Sequence, residues 1–223
     1  MALVSREYTL KRRAEGMEET RRRIVQAAVD LHGTVGPAKT TISAIAERAG
    51  VERLTVYRHF PDETQLFAAC SQHWGDQHPP PDIGAWVTIP NPDARLRHAL
   101  GELYAFYRRS EGMLRNTLRD AATVPALAGA MTAWEGWMTA AAEVLARGRP
   151  IRGPRRAHLL ALIGHTLDFQ VWSSLATRQI ADADAADAMV QWLRAAETSR
   201  RAAPSSGRSA RPGWPARRPP RSR

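Results

Sequence analysis

Apolar residues return at intervals of three and four along nearly the whole chain, and prolines stand where helices begin rather than inside them. Ile24, Ala28, Leu31 and Val35 set the first stripe. Ile42, Ile45, Ala46 and Ala49 make a short second one that ends at Gly50, and a third segment over about Arg53–His59 is stopped by Pro61,. Asp62-Glu63-Thr64-Gln65 has the form of a capping box and opens a helix carrying Leu66, Phe67, Cys70 and Trp74,. His78-Pro79-Pro80-Pro81 is a break. Asn91-Pro92 then pairs an N-cap with a first-turn proline, ahead of Leu96, Leu100, Leu103 and Tyr107,. Further helices are predicted over roughly 113–122, 125–147, 154–177 and 183–198, with Pro125 and Pro154 in first-turn positions,. No segment alternates with the period of a strand. The pattern predicts an all-α chain of about nine helices, a small head followed by a larger helical body, with the boundary near residues 75–92.

Composition adds limits. No apolar run approaches the roughly 18 residues of a membrane span, and Met1–Arg13 is charged where a signal peptide would be apolar,. Cys70 is the only cysteine, so no internal disulfide can form and a cytoplasmic location is expected,. The net charge of +10 suggests a polyanion until it is divided. Residues 198–223 hold eight arginines and no acid; residues 1–60 hold eleven Lys and Arg against seven Asp and Glu; the remainder is slightly acidic. Charge therefore marks the two ends. The domain reading is a flexible basic arm over 1–16, a head over 17–74 that includes a linking helix, a body over 75–198, and a disordered Arg- and Pro-rich tail over 199–223.

The segment Thr41–Phe60 carries the functional signal. Two short helices meeting at a steep angle need a small residue at the contact, which Ala46 supplies. Their turn needs a residue at ease with positive φ, and Gly50 lies four positions on. Val56, six further, faces back toward the first helix, with Ile45, Val51 and Phe60 completing a small core. The outward face of the second helix then offers Arg53, Thr55, Tyr57, Arg58 and His59, all hydrogen-bond donors suited to phosphates or base edges. This is a helix-turn-helix.

With Ile24, Ala27-Ala28, Leu31, Gly36, Thr41, Ile45-Ala46, Ala49-Gly50-Val51, Thr55, Tyr57, His59-Phe60 and Leu66 in place, the run Thr20–Leu66 resembles the DNA-binding head of the TetR (tetracycline-repressor-like) family. The Thr-x-Tyr-x-His-Phe ending is particular to that family. The resemblance implies a homodimer on double-stranded DNA, at a near-palindromic operator, and a variable body that binds a small-molecule effector and dimerises. It further implies phosphate contacts by Thr41 and Ser43 at a helix N-terminus, with Lys39 beside them, and by Tyr57 and His59. Arg53, Thr55 and Arg58 are left to read bases. Glu52, Leu54 and Glu63 depart from the family pattern. Glu63 stands where a phosphate-binding lysine is common, and Leu54 either meets a thymine methyl or packs locally.

In the body, the candidates for effector contact are Tyr104, Tyr107, Met113, Trp134, Trp137, Met138, Asp168 and Trp172. Other aromatic and sulfur side chains, Phe106, Met131 and Phe169, accompany them. Residues 157–175 and 186–193, with Leu159, Leu162, Ile163, Leu167, Val171, Leu175, Met189, Val190 and Leu193, correspond to the family's dimer interface, where Gly164 would allow close approach. The spacing of His73, Asp76 and His78 matches no metal cage, and no nucleophile motif or paired carboxylate is present. Neither enzyme, metal nor cofactor is expected.

Overall fold

The computed structural model describes residues 2–151 and 153–199. Among these, ten α-helices and no strand are found: α1 Ala2–Thr34, α2 Ile42–Ala49, α3 Arg53–His59, α4 Glu63–Gln77, α5 Ile83–Trp86, α6 Pro92–Asp120, α7 Ala128–Ala146, α8 Pro154–Leu167, α9 Phe169–Ala176 and α10 Asp182–Ser199. Short 3-10 turns lie at Pro37–Lys39 and Pro125–Leu127. The head comprises α1–α3 with α4 packed along α1; the body is built from α5–α10 around the long α6. The tail expected over 199–223 lies, from residue 200, outside the described residues.

The departures from the expected pattern have local causes. Residues 2–16, expected as a flexible arm, continue α1. They hold Ala, Leu, Arg, Lys and Glu and no proline, so extending a helix already nucleated by its packed C-terminal half adds little cost. The segments 92–107 and 113–122 fuse into one helix, α6. Gly112 in its middle is a crossing point rather than a stop: a Cβ there would stand 3.1 Å from the Gly33 carbonyl of α1. The expected helix 154–177 is instead cut at Asp168, whose backbone is extended and whose carboxylate accepts from the amides of Gln170 and Val171 as the N-cap of α9,. α5 adds a tenth helix, anchored by the fully buried Trp86, whose indole N–H donates to Glu102 at 2.6 Å.

The cut at Asp168 frees carbonyls at the end of α8. The Tyr104 hydroxyl donates to the Thr166 carbonyl at 2.9 Å, and the Tyr107 hydroxyl donates to that of Leu167. Both rings are fully buried, and burial raises both phenol pKa values, so each stays a donor,. Arg95 closes the other end of the bundle, donating to the carbonyls of Ile89, Pro90, Val144 and Arg147 where α7 stops.

Head and body are joined by polar contacts from the end of α6. The Asn116 amide donates to the carbonyls of His32 and Gly33, the last turn of α1. The buried Asp120 carboxylate accepts from the Ala38 amide at 3.0 Å and from the Arg119 guanidinium. Gly36 lets the chain pass: its φ is +96°, and a Cβ would lie 2.6 Å from that carboxylate,. Removing Asp120 leaves the Ala38 amide without its partner. Asp120→Ala is expected to destabilise the chain by about 2 kcal/mol, seen as a fall in melting temperature on the order of 5 °C. An unchanged melting temperature would remove Asp120 as the tie between head and body.

Candidate functional site

The helix pair α2–α3 is set by three small features. The Thr41 hydroxyl accepts from the Ala44 amide at 3.1 Å, capping α2; its own proton remains free to donate outward. Gly50 ends α2 in the left-handed region, at φ +63° and ψ +42°, and turns the chain into α3,. Val56 is fully buried against Ile45, Ala46 and Ala49. The pair is held to α1 by Arg48, which donates to Asp30, and by the Arg21 guanidinium lying 4.7 Å from the centre of the Phe60 ring,.

With Val56 turned in, Arg53, Leu54, Tyr57 and Arg58 share the outer face of α3, at positions i, i+1, i+4 and i+5, and all four are exposed,. Thr55 and His59 flank them, half-buried. Among the described residues, no ion pair or hydrogen bond engages the Arg53 or Arg58 guanidinium, so both forks are unoccupied. Leu54 is 58% exposed. Lys39, Thr41 and Ser43 are exposed beside the start of α2, on the turn and helix that precede this face. Glu52 caps α3 by its backbone position alone, and Glu63 occupies the first turn of α4, where a carboxylate favours the helix dipole,.

The body candidates are not brought to one place. Met113, Trp134 and Trp137 line a cavity of about 330 Å³ between head and body, together with Met131. Tyr104 and Tyr107 do not; they bind the α8 carbonyls described above. Trp172 is fully buried, and its indole N–H donates to Asp182, whose carboxylate also takes the Arg108 guanidinium. Asp168 is an exposed helix cap, and Met138 lines a separate crevice with Leu160 and Gly164. For Tyr104 and Tyr107 the reason is the break between α8 and α9, which opens backbone carbonyls that their hydroxyls satisfy,.

The head side of the cavity comes from residues the sequence did not single out: Val29 and His32 of α1, and Ser71, Trp74 and Gly75 of α4, beside Cys70. His32 is 5% exposed and its ring stacks on Phe67 at 4.7 Å. The signal was available in the spacing, since His32 follows Ile24 and Ala28 at helical interval, whereas Val35, expected on that stripe, lies beyond the end of α1 and is 42% exposed. Burial pushes the Cys70 thiol up to about 12 and keeps it protonated,. His73 bonds Gln26, and the His78 ring stacks on Trp74, so these two histidines serve the linking helix; no group of metal-ligating side chains is found among the described residues.

The expected interface residues also divide. Leu159, Ile163, Leu167, Val190 and Leu193 are buried within the single chain, because α10 packs on α6 and α8. Leu162, Val171, Leu175 and Met189 remain half-buried on the outside of α8–α10, and a Cβ at Gly164 would meet nothing within 4 Å.

Residues 24–70 match the family model of bacterial regulatory proteins of the tetR family. The HTH-type transcriptional repressor Rv3405c of Mycobacterium tuberculosis is 45% identical over 60 residues, 27% of this chain and 32% of that protein. The HTH-type transcriptional regulator TtgR of Pseudomonas putida is 36% identical over 69 residues, 31% and 33% of the two chains. The matched stretch thus spans about a third of these relatives' length. A TetR-like transcriptional regulator from Rhodococcus sp. RHA1 superposes with a TM-score of 0.60 at 20% identity, over 80% of this chain and 96% of that one. A tetR-family regulator from Streptomyces coelicolor does so at 0.57 and 20% identity, over 82% of each. The structural likeness shows an all-helical fold of the same kind, with a helix-turn-helix head. Over residues 24–70 the chain is similar to the DNA-binding head of the tetR family.

Burial holds the His32 imidazole neutral, depressing its pKa from the ordinary 6.5 to about 4, partly opposed by the Asp120 carboxylate. The unfolded chain therefore binds the proton first as pH falls. Stability is complete above pH 6.5 and declines from there toward 4, by an amount on the order of 3 kcal/mol. Urea titrations across that window should show the decline, and His32→Phe should flatten it. A stability independent of pH between 6.5 and 4.5 in the unaltered chain would contradict the assignment.

Proposed function

We propose that this protein is a cytoplasmic, DNA-binding transcriptional repressor that acts as a homodimer on a near-palindromic operator and is released by a small-molecule effector. The observation that carries the reading is the exposed face of α3, where two unengaged guanidinium forks, a phenol and an apolar side chain stand on a helix aimed outward by Gly50 and Val56. Arg53 and Arg58 suit guanine edges, Leu54 suits the methyl of thymine, and Tyr57, His59, Thr41, Ser43 and Lys39 suit phosphates. Thr55, half-buried, is the remaining base-edge candidate. Two such helices in successive major grooves need a two-fold dimer. The half-buried Leu162, Val171, Leu175 and Met189, with Trp192 at 38% exposure, supply an apolar face for it.

The effector half of the reading rests on the cavity of about 330 Å³ between the modules, formed by residues of both. Occupancy can shift the DNA-competent population only to the extent that the ligand prefers one arrangement of head and body. A cavity lined from both sides can express such a preference.

The full chain should recover a two-fold symmetric site from a random duplex pool. On that site Arg53→Ala should lose about 1–3 kcal/mol and relax the preference at one base pair per half-site. Leu54→Ser should weaken selection for thymine at one position. Tyr57→Phe should weaken binding evenly across sequences, as loss of a phosphate contact requires. Recovery of no common sequence, or full specificity in Arg53→Ala and Arg58→Ala alike, would sink the assignment.

A further inference from the structure

The cavity between head and body restricts its own occupant. Among the described residues, its lining contains no Asp, Glu, Lys or Arg side chain. Besides the tryptophan indoles, the polar side chains on it are His32, Cys70, Ser71 and Thr117. The Cys70 thiol already donates to the Val25 carbonyl at 3.8 Å. A charged ligand entering here would lose its hydration and find no counter-charge, at a cost of several kcal/mol. An uncharged ligand incurs no such penalty and finds His32, Ser71 and Thr117 as hydrogen-bonding groups.

Shape points the same way. On the body wall the Trp134 and Trp137 rings lie parallel, 5.3 Å apart with 9° between their planes, and Trp74 of α4 faces the same space. Flat rings favour offset-stacked or edge contacts with flat partners. Met113 and Met131 add thioethers that adapt to ring edges,. The volume, about 330 Å³, is at the small end of ligand pockets, which begin at roughly 300 Å³,. That volume matches one compact ring system.

Position supplies the consequence. Val29 and His32 belong to α1, the helix on which α2 rests, and α3 packs in turn on α2. His32 also lines a crevice on its far side with Thr40, Ile42 and Ile45, at the start of α2. A ligand in the cavity therefore presses on the head one side chain away from the DNA-contacting helix pair, rather than through the linking helix alone.

We infer that the cavity between head and body binds one uncharged, flat molecule of two or three rings, held by Trp134 and Trp137 on the body side and by His32 and Val29 on the head side, and that its binding lowers DNA affinity. This rests on the effector-responsive reading above and adds the ligand class and the head-side contact.

The test compares two probes with the same rings, neutral N-phenyl-1-naphthylamine and its sulfonated counterpart 1-anilinonaphthalene-8-sulfonate, by fluorescence titration of the full chain. The neutral probe should saturate at one per chain, and the sulfonate should bind about tenfold more weakly or worse. Ala133→Trp, at the exposed mouth of the cavity, should lose the neutral probe while the melting temperature holds. Thr117→Lys should reverse the preference toward the sulfonate. Sulfonate binding as tight as the neutral probe, or neutral binding undiminished in both variants, overturns the inference. On the duplex recovered by selection, saturating neutral probe should weaken binding at least about fivefold, within the usual range of allosteric coupling; an unchanged DNA affinity overturns the coupling. DNA binding without probe binding would defeat this inference and leave the regulator reading intact. Probe binding with no DNA recovered would defeat the regulator reading and the coupling with it, and leave the ligand class standing.

Discussion

The Asp120 carboxylate at the end of α6 is a buried anion that reaches out of the body to hold the backbone of the head. It accepts from the Ala38 amide, on the turn between α1 and α2, and takes the Arg119 guanidinium at its side. One turn earlier Asn116 donates to the last carbonyls of α1. These contacts satisfy groups that a helix end and a tight turn would otherwise leave without partners in a buried seam. They demand Gly36 at positive φ and the close crossing of α1 over α6 at Gly33 and Gly112. Once that seam is set, the orientation of α2 and α3 relative to the body follows, because α2 rests on α1 and α3 on α2.

The same seam explains why the cavity lies where it does. Helices α1 and α6 touch closely at Gly112, where no side chain intervenes, and diverge on the side toward α4 and α7. Bulky residues on the divergent side, Met113, Met131, Trp74, Trp134 and Trp137, do not fill the gap. A close polar contact and an adjacent apolar gap give the joint two properties together, a fixed register and room for something that could change it. His32 stands at their meeting point, its backbone carbonyl held by Asn116 and its ring stacked on Phe67 between two hollows. A titratable ring kept neutral by burial suits that place, since it offers a hydrogen bond without bringing in a charge,.

A second constraint organises the far end of the body. The interruption at Asp168 divides one long apolar rod into α8 and α9 and exposes carbonyls that Tyr104 and Tyr107 answer. The aromatic residues of the body therefore fall into two populations. One group, with Trp172 and Trp86, spends its polar tips on the bundle itself. The other, Trp134 and Trp137, half-buried on the exposed flank of α7, faces the cavity.

How much of this was legible beforehand depended on how far apart the deciding residues lie. The helix-turn-helix is local: a cap at Thr41, a turn at Gly50 and a buried Val56 within sixteen positions impose their geometry through backbone sterics and neighbouring side chains, so the sequence alone determined the fold class, the head and the donor-bearing face of α3. Helix starts were equally local, through Asp62, Asn91 and the first-turn prolines. The cut at Asp168 and the fusion across Gly112 were not, because a capping carboxylate and a crossing glycine look the same in sequence as a polar residue and a break. The choice between Tyr107 as ligand contact and Tyr107 as clamp, the removal of Leu159 and Val190 from the outer face, and the placing of His32 beside Trp134 required the tertiary structure. Each turns on contacts between residues far apart in the chain, where periodicity reports that a side chain is buried but carries no record of what it is buried against.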